Sequence, residues 1–268
     1  MNHQSMSDRN EFKECCKLFV KNDYEFRRFK THPEIIDIIE TTSYERGINY
    51  LNHILNKNKQ KIDNKAIEIF KFIDKLGHPY RYDFGIPGVI SPSVLRYYSV
   101  MGDIERLHGS LDDKIVVEIG SGYGAQSLML KSFYNIKKYI IIDLPEVIEL
   151  NKKYLAESGM DLREYEFYTS DDLLVDNTDI IEHIQSHYVI SNFAFSECYT
   201  NIQKCYIEKI LNQTENFYML VNIFRKRDML SIKQLKQLII KPFNVINEEP
   251  DNIHQAPPKN LLLFTNPL

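Results

Sequence analysis

Three glycines alternate in Gly120-Ser121-Gly122-Tyr123-Gly124, directly after Ile115-Val116-Val117-Glu118-Ile119 and directly before a helical stretch from Ala125 to Phe133. This order constrains the fold more than any other feature of the chain. The β-branched run reads as a buried strand. The glycines allow a tight turn and a close approach of backbone to ligand, and the helix that follows opens with unpaired N–H groups. Strand, glycine turn and helix in succession are the first unit of a parallel α/β sheet. The loop therefore predicts a nucleotide-cofactor site, and an ordinary strand-to-helix turn is the lesser reading.

The same rhythm continues downstream. Strands are predicted at 139–143, 165–168, 188–191 and 217–221, with crossover helices at 146–158 and 201–212. Two last runs, 243–248 and 261–265, are joined by a segment with no room for a helix, so the final strand must run antiparallel. Upstream, apolar residues recur at three- and four-residue steps from 11 to 76, which predicts helices. Residues 77–88, rich in Gly, Pro and aromatics, read as a structured loop. Ser91-Pro92-Ser93 reads as a helix start leading into 94–109. We expect a helical N-terminal extension over 1–90 that helps cover the acceptor side of the site, and a cofactor-binding domain over 91–268.

With 268 residues and 43% hydrophobic content, the chain has enough apolar material for a packed core. A formal net charge of -4 gives no general attraction to nucleic acid. Residues 1–10 contain no apolar segment of the kind a signal peptide needs, and no apolar run reaches the length of a membrane span. Cys15, Cys16, Cys198 and Cys205 show no metal-ligand spacing, and Cys198 and Cys205 are expected at i, i+7 on one helix face. Reduced thiols fit a soluble cytoplasmic protein. No metal is predicted.

Gly120-x-Gly122-x-x-Ala125 with Asp143 at the end of the next strand also satisfies a dinucleotide fingerprint, so the loop alone does not separate NAD from S-adenosylmethionine. Three features favour the methyl donor: the long helical lead, Glu118 two residues ahead of the first glycine, and the terminal hairpin. Together, Ser91-Pro92-Ser93-Val94-Leu95-Arg96-Tyr97-Tyr98, Val117 through Gly124, and Ile190-Ser191-Asn192-Phe193-Ala194-Phe195-Ser196-Glu197 resemble a family of sugar O-methyltransferases in order and spacing. The likeness covers roughly residues 77–268, and the first 70 or so carry no motif that can be placed. It implies a Rossmann-like class I methyltransferase fold with a seven-stranded, mostly parallel sheet. It further implies methylation of a sugar hydroxyl, nucleotide-linked or glycan-bound, in a setting such as polysaccharide biosynthesis.

Ligands of open α/β sheets sit outside the carboxyl ends of the strands. Position therefore assigns Glu118, Gly120, Ser121, Gly122 and Tyr123 to the methionine side of the cofactor. Asp143, with Leu144 beside it, falls to the ribose; Asp171 or Asp172 to the adenine, with a helix N-cap as rival; and Asn192 to the same edge. Two residues could take the acceptor's proton or orient its hydroxyl: His254, the better-matched base near neutrality, and Glu197. Arg96, Tyr97, Arg225 and His78 are candidates for gripping the acceptor, each arginine having an ion-pair alternative. His183 and His187 read as surface. The partner expected is a small sugar or sugar-nucleotide acceptor, with no nucleic acid or membrane and with a homodimer left open. An NAD-dependent oxidoreductase and a non-catalytic binding protein of the same fold are the rival functions.

Overall fold

The computed structural model describes residues 8–174, 187–222, 228–250 and 260–266. The N-terminal part forms α1 (Asn10–Lys21), α2 (Asp23–Phe26), α3 (Pro33–Ile38), α4 (Tyr44–Asn56) and α5 (Asn64–Ile73). Side-chain caps explain several of these starts. Asn22 accepts from the N–H groups of Tyr24 and Glu25, Ser43 from Arg46, and Asp63 from Ala66. The loop expected at 77–88 carries a small antiparallel ribbon, β1 (Tyr82–Asp83) with β2 (Val89–Ile90). Pro92 then occupies the first turn of α6 (Pro92–His108), which stops at Gly109.

The alternating half follows the expected order closely. Its elements are β3 (Ile115–Ile119), α7 (Ala125–Phe133), β4 (Lys138–Asp143), α8 (Pro145–Glu157), β5 (Tyr165–Thr169), α9 (Ser170–Leu174) and β6 (His187–Asn192). After these come α10 (Ala194–Glu197), α11 (Thr200–Tyr206), β7 (Asn216–Val221), α12 (Ile232–Leu238), β8 (Phe243–Asn247) and β9 (Leu261–Thr265). The sheet order is β5-β4-β3-β6-β7-β9-β8. β3 to β7 pair in parallel, whereas β9 inserts antiparallel between β7 and β8. A fully parallel dinucleotide-binding sheet has no such inserted strand.

Strand periodicity divides the core into two layers. Val116, Ile141, Ile190, Tyr218 and Leu262 face one side, and there they share a continuous apolar cluster with Phe19, Phe29, Ile54 and Phe70 of the N-terminal part. Val117, Ile140, Val189, Met219 and Leu263 face the other side, against α11 and α12. The extension thus covers a face of the sheet. No helix among the described residues is long and apolar enough to cross a membrane.

Two local expectations change. Cys198 and Cys205 do not share a helix: Cys198 ends the turn of α10 in extended conformation, and Cys205 lies within α11. Their thiols reach different carbonyls, Ala194 at 3.4 Å and Leu173 at 3.3 Å. His187 is fully buried at the start of β6, because Ile115 of β3 pairs beside it and the turn at Thr214 and Glu215 closes on its carbonyl. His183 lies outside the described residues.

Phe29 is fully buried between Tyr123 (ring centroids 5.1 Å) and Phe26 (5.5 Å). Phe29→Ala should therefore cost about 3–5 kcal/mol and lower a single cooperative urea transition shared by extension and sheet. Two separate transitions would show that the extension folds on its own.

Candidate functional site

The glycine loop leaves β3 beside the start of α10. Gly120 has φ +76°, and a Cβ there would lie 1.9 Å from the Cβ of Ala194, so only glycine fits. Gly122, at φ +56°, sits under Ile39 of the extension, 3.2 Å from where its own Cβ would be. Asp143, at the tip of β4, accepts from the N–H of Gly122 (3.1 Å) and of Leu144 (2.8 Å). Burial pushes its carboxyl up to about 6, against the pull of those backbone donors. Glu118 is 1% exposed and accepts from the Tyr139 hydroxyl at 2.8 Å. Burial raises its carboxyl to about 8.

The segment after β6 fixes the opposite wall. The Ser191 hydroxyl donates to the Ile119 carbonyl (2.9 Å) and accepts from Phe195 N–H (3.1 Å), tying β6 to β3. Phe193 turns the chain at φ +74°, a costly conformation for a bulky side chain. Its carbonyl accepts from the Ser196 hydroxyl (2.7 Å), which in turn accepts from Asn222 N–H (2.9 Å) at the end of β7. Asn222 Nδ2 donates to Glu197 at 3.1 Å.

These walls enclose a cavity of about 420 Å³ at the carboxyl ends of β3, β4 and β6. Of the residues anticipated from sequence, Glu118, Gly120, Ser121, Gly122, Asp143, Leu144 and Asn192 line it, as do Glu197, Arg96 and Tyr97. Others do not. Tyr123 points behind the loop, buried between Phe29 and Tyr154, with its hydroxyl on the Glu40 carboxylate. Asp172 caps α9 reciprocally with Thr169, accepting from its N–H at 2.6 Å and hydroxyl at 2.7 Å while Thr169 Oγ1 accepts from Asp172 N–H. Asp172 therefore serves the helix cap from the third position of α9, Asp171 is exposed, and Ser170 lines the cavity in their place. His78 lies in a separate surface recess with Arg27, Lys71 and Arg81. Arg225 and His254 fall outside the described residues. Among the described residues no group of three or more His, Cys, Asp or Glu is placed to hold a metal ion.

The extension lines the cavity through Phe12, Asp37, Ile39, Thr41 and Arg46, residues that sequence reasoning did not single out. A polar network seats it. Arg96 Nη2 donates to the Ile39 carbonyl (3.1 Å) and to the Tyr97 hydroxyl (3.4 Å), and Tyr97 donates to Tyr123 (3.4 Å). Asn151 of α8, also unanticipated, donates to the Ser121 hydroxyl (2.8 Å) and braces the loop from below.

No family model matches the chain. No curated protein matches it either. Solved structures with a related chain path include an O-methyltransferase family protein from Burkholderia thailandensis, at 12% identity and TM-score 0.43, with 57% of this chain and 51% of that chain covered. The chain thus spans about half the length of that protein. TrmK of M. capricolum, bound to S-adenosyl-homocysteine, matches at 14% identity and TM-score 0.41, over 64% and 67% of the two chains. The methyltransferase domain of bacterial CtHen1 matches at 14% and 0.45, over 63% and 97%. At these identities the likeness concerns chain path and not substrate.

Folded Glu118 keeps its proton up to about 8, whereas the unfolded chain releases it near 4.5. The native state then binds more protons, so stability falls as pH rises through that interval. Glu118→Gln carries no such proton, and its stability should overtake that of the wild type progressively between these limits. Urea melts across the range check this, and superimposable pH profiles would remove the assignment.

Proposed function

We propose that this chain is an S-adenosylmethionine-dependent O-methyltransferase acting on a sugar hydroxyl, nucleotide-linked or glycan-bound. One observation carries the reading. A glycine loop, an acid at the next strand tip and a buried acid in the first strand converge on one cavity at the switch point of the sheet. A volume of about 420 Å³ lies within the range of small-molecule sites. The inserted antiparallel strand speaks against the NAD alternative.

The residues fit the methyl donor. Gly120 and Gly122 let the backbone approach it, and Asp143 offers carboxylate oxygens to a ribose diol. Ile142, Leu144 and Val147 give an apolar surface for a base. Asn192 Oδ1 is buried without a hydrogen-bond partner among the described residues, an acceptor that a ligand would satisfy. When bound, the donor supplies an electrophilic methyl on a sulfonium, and alignment of the acceptor oxygen does much of the remaining work. Thr41, Asn222, Asn260 and Glu197 present hydroxyl, amide and carboxylate groups suited to a polyhydroxylated acceptor. Glu197, held by Asn222, would orient the reacting hydroxyl, and His254 would take the proton that this hydroxyl gives up. Arg225 joins Arg96 and Tyr97 in gripping the acceptor. The four cysteines are thiols, which suits a reducing compartment such as the cytoplasm.

Titration calorimetry with S-adenosylhomocysteine and NAD tests the donor, and binding of NAD alone would overturn the reading. Asp143→Ala should weaken S-adenosylhomocysteine about tenfold to a hundredfold. His254→Ala should leave that affinity intact while slowing turnover on a screened sugar nucleotide by about a hundredfold or more. Unchanged turnover in His254→Ala, with loss in Glu197→Gln, would move the base to Glu197.

A further inference from the structure

Of the arginines that line the cavity, Arg46 and Arg96 form no ion pair with a carboxylate among the described residues. Arg46 sits in the first turn of α4, half-buried; its Nη1 donates to the Thr41 carbonyl at a long 3.4 Å and its guanidinium faces the Tyr50 hydroxyl. Its Nε is buried with no acceptor among the described residues. Arg96 is 8% exposed and, among the described residues, donates to neutral groups, the Ile39 carbonyl, the Thr41 hydroxyl (3.5 Å) and the Tyr97 hydroxyl. Other arginines of the chain do reach carboxylates, Arg106 to Asp103 and Arg163 to Asp161.

Burying a guanidinium costs free energy unless a counter-charge or a full set of acceptors meets it. The buried acid Glu248 feels both guanidiniums, yet it also hydrogen-bonds to neutral groups. Glu248 accepts from Asn260 Nδ2 (2.8 Å) and the Tyr50 hydroxyl (3.4 Å), and burial pushes its carboxyl up despite the pull of Arg46 and Arg96. Each guanidinium carries five N–H donors in a fork that matches phosphate and carboxylate oxygens. Both forks line a cavity large enough for a ligand.

We propose that Arg46 and Arg96 form a receptor for an oxyanion carried by the cavity's ligand, which makes the N-terminal extension part of the recognition site. The inference rests on the cavity being the ligand site proposed above, and it adds the chemical class of group read there. Two sources share this chemistry: a phosphate on the acceptor, and the amino-acid carboxylate of the methyl donor.

The test uses calorimetry on the full chain with three probes: inorganic pyrophosphate, S-adenosylhomocysteine, and 5′-methylthioadenosine, which lacks the carboxylate. Arg46→Gln should weaken at least one anionic probe by about tenfold or more, with Arg46→Lys intermediate and Arg81→Gln, outside the cavity, unchanged. Loss for pyrophosphate alone assigns the receptor to the acceptor. Loss for S-adenosylhomocysteine with 5′-methylthioadenosine unaffected assigns it to the donor. Arg96 is buried in the network that seats the extension, so Arg96→Gln is read only with an unshifted thermal midpoint, and Arg46→Gln decides. Anionic probes that bind Arg46→Gln as they bind wild type overturn the receptor while leaving the methyltransferase reading intact. If the wild type ignores both nucleosides yet holds pyrophosphate through Arg46, the methyltransferase reading fails and the receptor stands.

Discussion

The contact between Gly120 and Ala194 is the point on which the rest of the architecture turns. β3 and β6 lie side by side, but the chain leaving β3 travels to β4 on one flank while the chain leaving β6 travels to β7 on the other. Connections that diverge in this way open a crevice at the carboxyl ends of the strands. The floor of that crevice is set by how closely the two exits can approach. Absence of a side chain at Gly120 and a single methyl at Ala194 let them touch, and the Ser191 hydroxyl locks the distance by bonding to the Ile119 carbonyl. The strained turn at Phe193 follows from this closeness, because α10 must start immediately after β6 to place Ala194 there.

A floor alone makes a groove; the roof comes from the extension. Ile39 rests on Gly122, and the chain of hydroxyls from Tyr97 to Tyr123 ends on Glu40, so residues 39–41 are held above the loop from two directions. Beneath Tyr123 lies Lys30, 1% exposed, its amine donating to the Ile73 carbonyl (2.7 Å) and lying 4.8 Å from the Tyr123 ring and 5.1 Å from that of Tyr154. Desolvated cation–π contacts are worth about 2 kcal/mol each, which offsets part of the cost of burying the amine. Burial still lowers its pKa. Extension and glycine loop are thus coupled through one aromatic cluster, and neither can move far without disturbing the other.

The sheet was legible because its strands are β-branched or aromatic runs separated by helices of crossover length, and the terminal hairpin because no helix fits between its strands. Site residues at strand tips, Glu118, Asp143 and Asn192, were legible for the same reason: periodicity locates the tips, and the tips locate the ligand. Tyr123 was misjudged because the glycines on either side of it have positive φ, which turns its side chain behind the loop, and no spacing rule encodes that. Asp172 followed local capping chemistry, as the third residue of α9 paired with Thr169, whereas the rival reading places an Asp at the N-cap itself. Asn151 had a usable signal, a polar residue on the inward face of α8 among Val147, Leu150 and Tyr154. Arg46 and Ile39 had none, since their place in the cavity depends on how the extension docks about 80 residues upstream of the loop.

The electrostatics of the cavity give its two ends different tasks. On the loop side, burial pushes Glu118 to about 8 and Asp143 to about 6, so near neutral pH Glu118 is mostly protonated while Asp143 remains mostly ionised. A cationic ligand placed among them would favour ionisation of both, because an opposite charge nearby lowers a carboxyl pKa. A neutral ligand of the same shape would not. Under the methyltransferase reading proposed above, these two acids would favour a sulfonium over the thioether left after methyl transfer by charge rather than by size. On the extension side, the guanidiniums of Arg46 and Arg96, with no ion pair among the described residues, set the opposite preference. A cavity with titratable acids at one end and guanidiniums at the other is suited to a ligand pair of opposite character meeting between them.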